Sequence, residues 1–397
     1  MHIQSTRTPG ITRHNFIKID SIEIFLVFAY LTAVLVYKHA ILSHHSLLRD
    51  HDFSHPSDAA RADRINGRCA TLTPTWRFMM RKLLIAVLIL FLAPSGWTAE
   101  QEFDKDMFIT VATGGTSGVY YPIGGAIANL VSKDLGLDTS VQATGASVEN
   151  INLLNTNRVE MAIVMADAVS QAYGATGAFT GKAPIDSLRG LTALYPNFVQ
   201  VVTTAKTGIK SIKDLAGKRV GVGAPSSGVE LNARLILKAY GMDYNDIEED
   251  YLSYREAIDQ IKNGMIDAAF VTSGIPNSTV IDLSVTNETV VLPIEGEAIA
   301  SLKEKYPFFS AGVIPGGTYS QKEDVHTATI TNLLLINNSV PDKAAYAITK
   351  TIFENLDALY AAHNAAKNIS LKSVASGMPV PFHPGAEKYL KEVGALK

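Results

Sequence analysis

From about residue 108 the chain alternates between two hydrophobic periods. Short β-branched or apolar runs give way to stretches whose apolar residues recur three and four positions apart, the mark of amphipathic helices. "FITVA" (108–112) reads as a strand and "YPIGGAIANLVSKDL" (121–135) as a helix with Ile123, Ile127, Leu130 and Val131 on one face. "TSVQATG" (139–145) is a second strand. "SVENINLLNTNRV" (147–159) is a second helix with Ser147 and Asn150 at its start, and "EMAIVMA" (160–166) a third strand. Strand, helix and strand at this spacing predict a parallel sheet with crossover helices.

The alternation then repeats with different residues. "LTALYPNFVQVVTTA" (191–205) is a long β-like run. Residues 211–241 read as a short helix, a strand, a Gly-Ser turn and a long helix, and residues 255–276 as helix, strand and a second hydroxyl-rich turn. "DVHTATITNLLLINNSVP" (324–341) is β-like and long enough to cross back between two halves, and Pro341 opens a helix over 342–363. Each half sets the C-terminal end of a strand against a loop of small residues, where open α/β sheets bind ligands. The whole predicts two lobes joined by long strands and facing each other across a cleft.

Charge separates the first quarter of the chain from the rest. The 397 residues carry a formal net charge of −3, but residues 100–397 hold 24 Lys and Arg against 32 Asp and Glu, near −8. A body of that sign seeks neither nucleic acid nor an anionic membrane surface. Residues 79–99 have Arg81 and Lys82, an apolar run from Leu83 to Ala93 and a Pro-Ser-Gly break, the layout of a secretory signal peptide. Met79 or Met80 is then the expected initiator, with residues 1–78 an upstream segment outside the secreted protein. The 14-residue run Ile24 to Tyr37 is shorter than the roughly 20 residues a bilayer core needs. Cys69 is the only cysteine, so residues 100–397 have neither disulfide nor thiolate, in keeping with secretion into a bacterial periplasm.

Three loops carry the candidate chemistry: Gly114-Gly115-Thr116-Ser117-Gly118, Pro225-Ser226-Ser227-Gly228 and Thr272-Ser273-Gly274. Each is expected at a helix start, where free N–H groups and hydroxyls suit an anionic oxygen. Nucleotide chemistry fits poorly, because "GGTSG" lacks the G-x-G-x-x-G register and "AGKR" (216–219) lacks the rest of a P-loop. No G-x-S-x-G elbow occurs, and His326, His363 and His383 have no motif tying them to a serine. The histidines at 39, 44, 45, 51 and 55 lack metal-ligand spacing. No catalytic residue, metal or cofactor is expected. Gly124 and Gly125 are expected to serve helix packing, and Asp167 to cap its helix. Asn150 either caps or binds. Tyr195, before Pro196, serves hinge packing or ligand stacking.

Taken in order, "ITVATGGTSGVYYPIGGAIANLV", "VQATGASVENINLLNTNRVEMAIVMADAVSQAYGATGAF", "IKDLAGKRVGVGAPSSGVELNARLIL" and "IDAAFVTSGIP" resemble the TAXI family of solute-binding receptors for tripartite ATP-independent periplasmic (TRAP) transporters. The resemblance covers residue 108 to the C-terminus. It implies an α/β fold of the periplasmic binding protein type II kind, with two α/β lobes joined by hinge strands around a central cleft. Residues 104–200 and 316–397 would form one lobe and 201–315 the other. The ligand it implies is a small carboxylate such as glutamate, glutamine or 2-oxoglutarate, and the partners are TRAP membrane subunits, with the receptor a monomer. The site residues it implies are Gly115, Thr116, Ser117, Gly118 and Tyr120 with Ser147, Asn150, Asp167 and Tyr195 from the first lobe, and Ser226, Ser227, Gly228, Thr272 and Ser273 from the second. Met165 stands where such receptors often show glutamine, and "NTNRVEM" (155–161) replaces a Gly-Glu turn, so the family's glutamate preference is not carried over. The rival readings are a secreted enzyme on the same scaffold and a periplasmic sensor for a membrane kinase.

Overall fold

The computed structural model describes residue 104 and residues 106–397, all within the second of the chain's two units, Ala99–Lys397. The expected signal peptide, the 24–37 run, Cys69 and the upstream histidines lie outside the described residues. In chain order the elements are β1 (Phe108–Ala112), α1 (Tyr120–Leu135), β2 (Asp138–Gln142), α2 (Ser147–Asn155), β3 (Met161–Met165), α3 (Ala166–Tyr173), β4 (Leu188–Thr204), β5 (Arg219–Gly221), α4 (Gly228–Ala239) and β6 (Glu248–Asp250). There follow α5 (Tyr254–Lys262), β7 (Ala268–Ser273), α6 (Ser278–Thr286), β8 (Thr289–Leu292), α7 (Gly296–Lys305), β9 (Phe309–Ile314), β10 (Val325–Asn337), α8 (Asp342–Glu354), α9 (Leu356–Ala362) and α10 (Pro384–Glu392).

All strands join one mixed sheet in the order β2-β1-β3-β10-β4-β7-β5-β6, with β8 beside β4 and β9 beside β10. Its two ends are parallel, β1 with β2 and β3, and β5 with β6 and β7. The centre is antiparallel because β4 and β10 run through both halves. Leu188–Ala193 of β4 pairs with the end of β10, and Phe198–Thr203 pairs with β7. The β4–β10 register slips between Thr331 and Leu333 and again between Leu334 and Leu335, which marks the crossing between the halves. Two α/β lobes bridged by two crossing strands constitute the periplasmic binding protein type II architecture.

Sequence periodicity explains where the core sits. Ile123, Ile127, Leu130 and Val131 of α1 are buried as expected, each apolar side chain contributing about 1.5–3 kcal/mol on full burial. Helix α1 stops at Gly136, which takes a left-handed conformation (φ 70°) that returns its N–H to the Ser132 carbonyl. Every residue of β3, "MAIVM", is buried, because helices cover both faces of a central strand. In the second lobe Ala257, Ile258 and Ile261 of α5 pack with Ala269 and Val271 of β7 and Val280 and Leu283 of α6.

Two elements differ from expectation. The helix predicted over 342–363 breaks at Asn355 into α8 and α9, where the Asn355 amide bonds to the Thr351 carbonyl and to Asp134, so the side chain competes with the helical ladder. Helix α2 ends at Asn155 rather than running to Val159, and Asn157 turns left-handed (φ 53°).

The glycine pair in α1 gives a direct test of packing. A Cβ on Gly124 would stand 2.4 Å from Thr113 Cγ2, whereas one on Gly125 would meet nothing within 4 Å. Gly124→Ala is expected to destabilise by about 1–3 kcal/mol through overpacking. Gly125→Ala should stabilise by up to about 1 kcal/mol through helix propensity. Urea melts of the two variants check this. Equal effects would show that α1 does not rest on β1 as described. The expected packing role therefore holds for Gly124 and not for Gly125.

Candidate ligand-binding cleft

The lobes meet around a small cavity that is partly open to solvent. From the first lobe it is lined by Gly114, Gly115, Ser117, Gly118, Val119 and Tyr120, by Thr144, Gly145 and Ala146, and by Met165. Asn197 comes from β4, and Ala224, Ser227, Val229, Ser253, Tyr254, Thr272 and Ser273 from the second lobe. Among the described residues no Asp, Glu, Lys, Arg or His lines it.

Two helix N-termini face this cavity. Helix α1 starts at Val119 with no side-chain cap, so its first N–H groups have no acceptor of their own. The turn before it closes through Gly118 N–H to the Gly115 carbonyl at 2.9 Å. Helix α4 is capped by Ser227, whose Oγ accepts from Glu230 N–H at 3.1 Å, and Ser227 and Val229 at this end line the cavity. Helix N-termini favour anionic oxygens. The walls between them are apolar or aromatic: Val119, Ala146, Met165, Ala224, Val229, and the rings of Tyr120 and Tyr254.

The phenols are fixed and stay neutral. Tyr120 OH donates to Asn332 Oδ1, and Tyr254 OH donates to the Thr272 carbonyl at 2.6 Å. Burial raises both groups well above the ordinary tyrosine value. Thr272 lines the cavity, and its Oγ1 is buried without a hydrogen-bond partner. Two residues in the loops beside the cavity hold a positive φ without being glycine, Ala146 (φ 79°) and Ser226 (φ 59°). Such strain costs of order 1–3 kcal/mol per residue. Here it sits in the two loops that face each other.

The predicted site residues divide into three groups. Gly115, Ser117, Gly118, Tyr120, Ser227, Thr272 and Ser273 line the cavity. Thr116 and Ser226 are exposed and do not line it. The remaining five lie behind it. Ser147 is buried, its Oγ accepting from Met165 N–H at 3.1 Å. Asn150 neither caps its helix nor reaches the cavity: its amide donates to the Thr113 and Ile163 carbonyls and its oxygen accepts from Thr144, which ties the ends of β1 and β3 together. Tyr195 is fully buried, with its ring packed against Gly274, and does not line the cavity. Gly228 is a point of contact between the lobes, where a Cβ would stand 2.3 Å from Met165 Cε and 2.9 Å from Ser147 Oγ.

Asp167 needs a correction. Met165, not Asp167, occupies the cap position of α3, and Asp167 lies in the first turn, fully buried. Its Oδ2 accepts from Asn232 Nδ2 of α4 at 2.6 Å. Thr272–Gly274 also differs from expectation, because it ends β7 and leads into Asn277, the cap of α6, rather than opening a helix itself. Ser273 Oγ accepts there from Asn277. Among the polar lining residues, Thr144, Asn197, Ser253 and Tyr254 were not singled out in the sequence. Asn197 and Tyr254 lie outside the small-residue loops and reach the cavity through the crossing of β4 and the packing of α5.

Further contacts join the lobes around the cavity. Glu149 N–H donates to the Ser226 carbonyl and Ser278 Oγ to the Ser117 carbonyl, both at 3.3 Å. The structure is therefore that of closed lobes.

A two-lobed sheet with its cleft at the strand ends is the class to which the fold and cavity belong. Residues 111–394 match the profile of the NMT1-like family, and the chain belongs to that family. Among solved structures, the chain is similar to the periplasmic aliphatic sulphonate-binding protein SsuA from Escherichia coli, with 16% identity, 72% of this chain and 78% of that one covered, and a TM-score of 0.42. It is also similar to PhnD1 from Prochlorococcus marinus in complex with methylphosphonate, with 12% identity, 73% and 99% covered, and a TM-score of 0.46. A putative L-cystine ABC transporter from Listeria monocytogenes matches at 15% identity, with 66% and 95% covered and a TM-score of 0.41. Among the described residues no helix is long and apolar enough to cross a membrane, and no group of three or more His, Cys, Asp or Glu is placed to hold a metal ion.

Proposed function

We propose that this protein is a periplasmic solute-binding receptor that captures a small carboxylate by lobe closure and delivers it to TRAP transporter membrane subunits. The observation that carries this reading is the cavity itself, where the N-termini of α1 and α4 approach from opposite lobes and hydroxyls provide the remaining polar contacts. The lobe limits are part of the proposal, residues 104–200 and 316–397 forming one lobe and 201–315 the other. The TAXI resemblance of the four quoted segments supports the transporter partner, and membership of the NMT1-like family agrees with a binding role.

The lining also favours one ligand class. An ammonium group held in a closed cleft needs a carboxylate or several acceptors, and no acidic side chain lines this cavity among the described residues. A carboxylate without an ammonium, such as a 2-oxo acid of the 2-oxoglutarate kind, suits the donors better than glutamate or glutamine. An enzyme would need a base beside a hydroxyl, and the lining supplies hydroxyls, one amide and no base.

A thermal-shift panel of 2-oxo acids, dicarboxylates, amino acids and nucleotides tests the reading. At a hundred times Kd the cognate solute should add about 2.7 kcal/mol, a Tm rise of roughly 5–10 °C. The largest rise is expected from a 2-oxo acid. A response to nucleotides only, or to no carboxylate, would refute the proposal.

A further inference from the structure

Asp167 and Asn232 come from different lobes, Asp167 from the first turn of α3 and Asn232 from the middle of α4, and both are fully buried. One hydrogen bond joins them, Asn232 Nδ2 to Asp167 Oδ2 at 2.6 Å. The other oxygen of each, Asp167 Oδ1 and Asn232 Oδ1, is buried without a partner. Two unsatisfied acceptors on a single bonded pair are costly. A proton on Asp167 Oδ1 removes both costs, because the carboxylic acid then donates to Asn232 Oδ1 while Asn232 Nδ2 donates back, giving a cyclic acid–amide pair.

We propose that Asp167 and Asn232 form a protonated clasp between the lobes, so that closure takes up one proton and opening releases it. Asp167 does not line the cavity, so it acts as a positioning residue for the closed state and not as a contact for the solute. This inference rests on the receptor reading only in assigning a use to closure.

The surroundings of Asp167 contain no countercharge to hold it ionised. The titratable side chains on the elements packed against it are Tyr173 on α3, Glu149 on α2, Glu230, Arg234 and Lys238 on α4, His326 on β10 and Tyr120 on α1. None is hydrogen-bonded to the Asp167 carboxyl: Glu149 accepts from Gly145 N–H, Glu230 and Arg234 pair with each other, and Tyr120 donates to Asn332. Burial raises the Asp167 carboxyl to about 7, against the lowering effect of the Ala168 N–H and the Asn232 amide. Opening parts α3 from α4 and returns the group to its ordinary carboxylate range.

The sign follows directly. Below the open-state value Asp167 is neutral in both forms, and closure is favoured most. Between that value and about 7 each closure binds a proton, so the closed-to-open ratio falls about tenfold per pH unit. Above about 7 both forms are ionised and the ratio is flat at its minimum.

The test needs no solute. The pair Lys133→Cys and Lys303→Cys, exposed positions on α1 and α7, carries spin labels whose distance distribution gives the closed-to-open ratio of the full chain with Cys69→Ser, from pH 5 to 8.5. The ratio is expected to fall about tenfold per unit between pH 5 and 7 and to level off above. Asp167→Asn reproduces the shape and donors of the neutral acid, so its ratio should stay at the low-pH level throughout. Asn232→Ala should lower the ratio at low pH while a pH dependence remains, because burial and not the amide raises the Asp167 carboxyl. A pH-independent ratio in the parent protein, or an equal slope in Asp167→Asn, overturns the clasp. Failure of the carboxylate panel with a positive outcome here would instead count against the solute assignment alone.

Discussion

Gly228→Val is expected to lower affinity for the carboxylate that raises Tm by at least about 100-fold, while the solute-free protein melts within about 1 °C of the parent. The reason lies in the first residue of α4. A Cβ there would stand 2.3 Å from Met165 Cε and 2.9 Å from Ser147 Oγ across the cleft. The methionine tip can swing aside, but Ser147 cannot, because its Oγ holds Met165 N–H at the end of β3. Opening would part Gly228 from Met165 and Ser147, so a larger side chain is expected to obstruct only closure. A factor of 100 corresponds to about 2.8 kcal/mol, within reach of an unrelieved overlap. Gly228→Ala should cost less, about tenfold, since movement of Met165 absorbs part of the clash. Titration calorimetry and solute-free melts separate the terms. Undiminished affinity in Gly228→Val would show that the bound state is not the closed one described here.

How much of this was legible in the sequence depends on the range of the interactions. The alternation of strand and helix gave the two halves, because burial of one face is a local pattern. Ser117 and Ser227 stand out in the sequence because loops at strand ends before helices carry small residues for a local reason, and both line the cavity. Asn197 and Tyr254 were not found, because each reaches the cavity through the crossing of β4 or the packing of α5. Asp167 was visible as a polar residue near a helix start, yet its partner lies 65 positions away on the other lobe. Asn150 and Ser147 are expected at the ligand; Asn150 instead ties the ends of β1 and β3 together, and Ser147 holds the start of α2 to the end of β3. Sequence pattern marks polar residues that must be satisfied and leaves open whether backbone, side chain or solute does so. The segment 278–314, which holds α6, β8, α7 and β9, had no assigned reading because its apolar runs are short and fit either period.

Asn332 makes the same point energetically and carries the second large expected effect. It sits on β10 in the run "TNLLLINN", where its apolar neighbours give no hint of a role. Its amide donates to the Tyr195 carbonyl at 2.9 Å and to Asn197 Oδ1 at 2.8 Å, and its oxygen accepts from Tyr120 OH. All four residues are buried, and they lie where the register of β4 and β10 slips between the lobes. Asn332→Leu keeps the volume and removes every bond, leaving a carbonyl, an amide oxygen and a phenol unpaired. At about 1–3 kcal/mol for each unsatisfied group, partly relieved by rearrangement, the expected loss is about 3–5 kcal/mol, or roughly 8–15 °C in Tm. Asn245→Ala, on an exposed turn, should stay within about 0.5 kcal/mol. Denaturant melts with and without the carboxylate give the decisive comparison. Asn332 fixes both the crossing strands and Tyr120 at the cavity wall, so Asn332→Leu should also reduce the stabilisation the solute confers. A loss of stability with solute stabilisation unchanged would confine Asn332 to the fold and separate the hinge from the site.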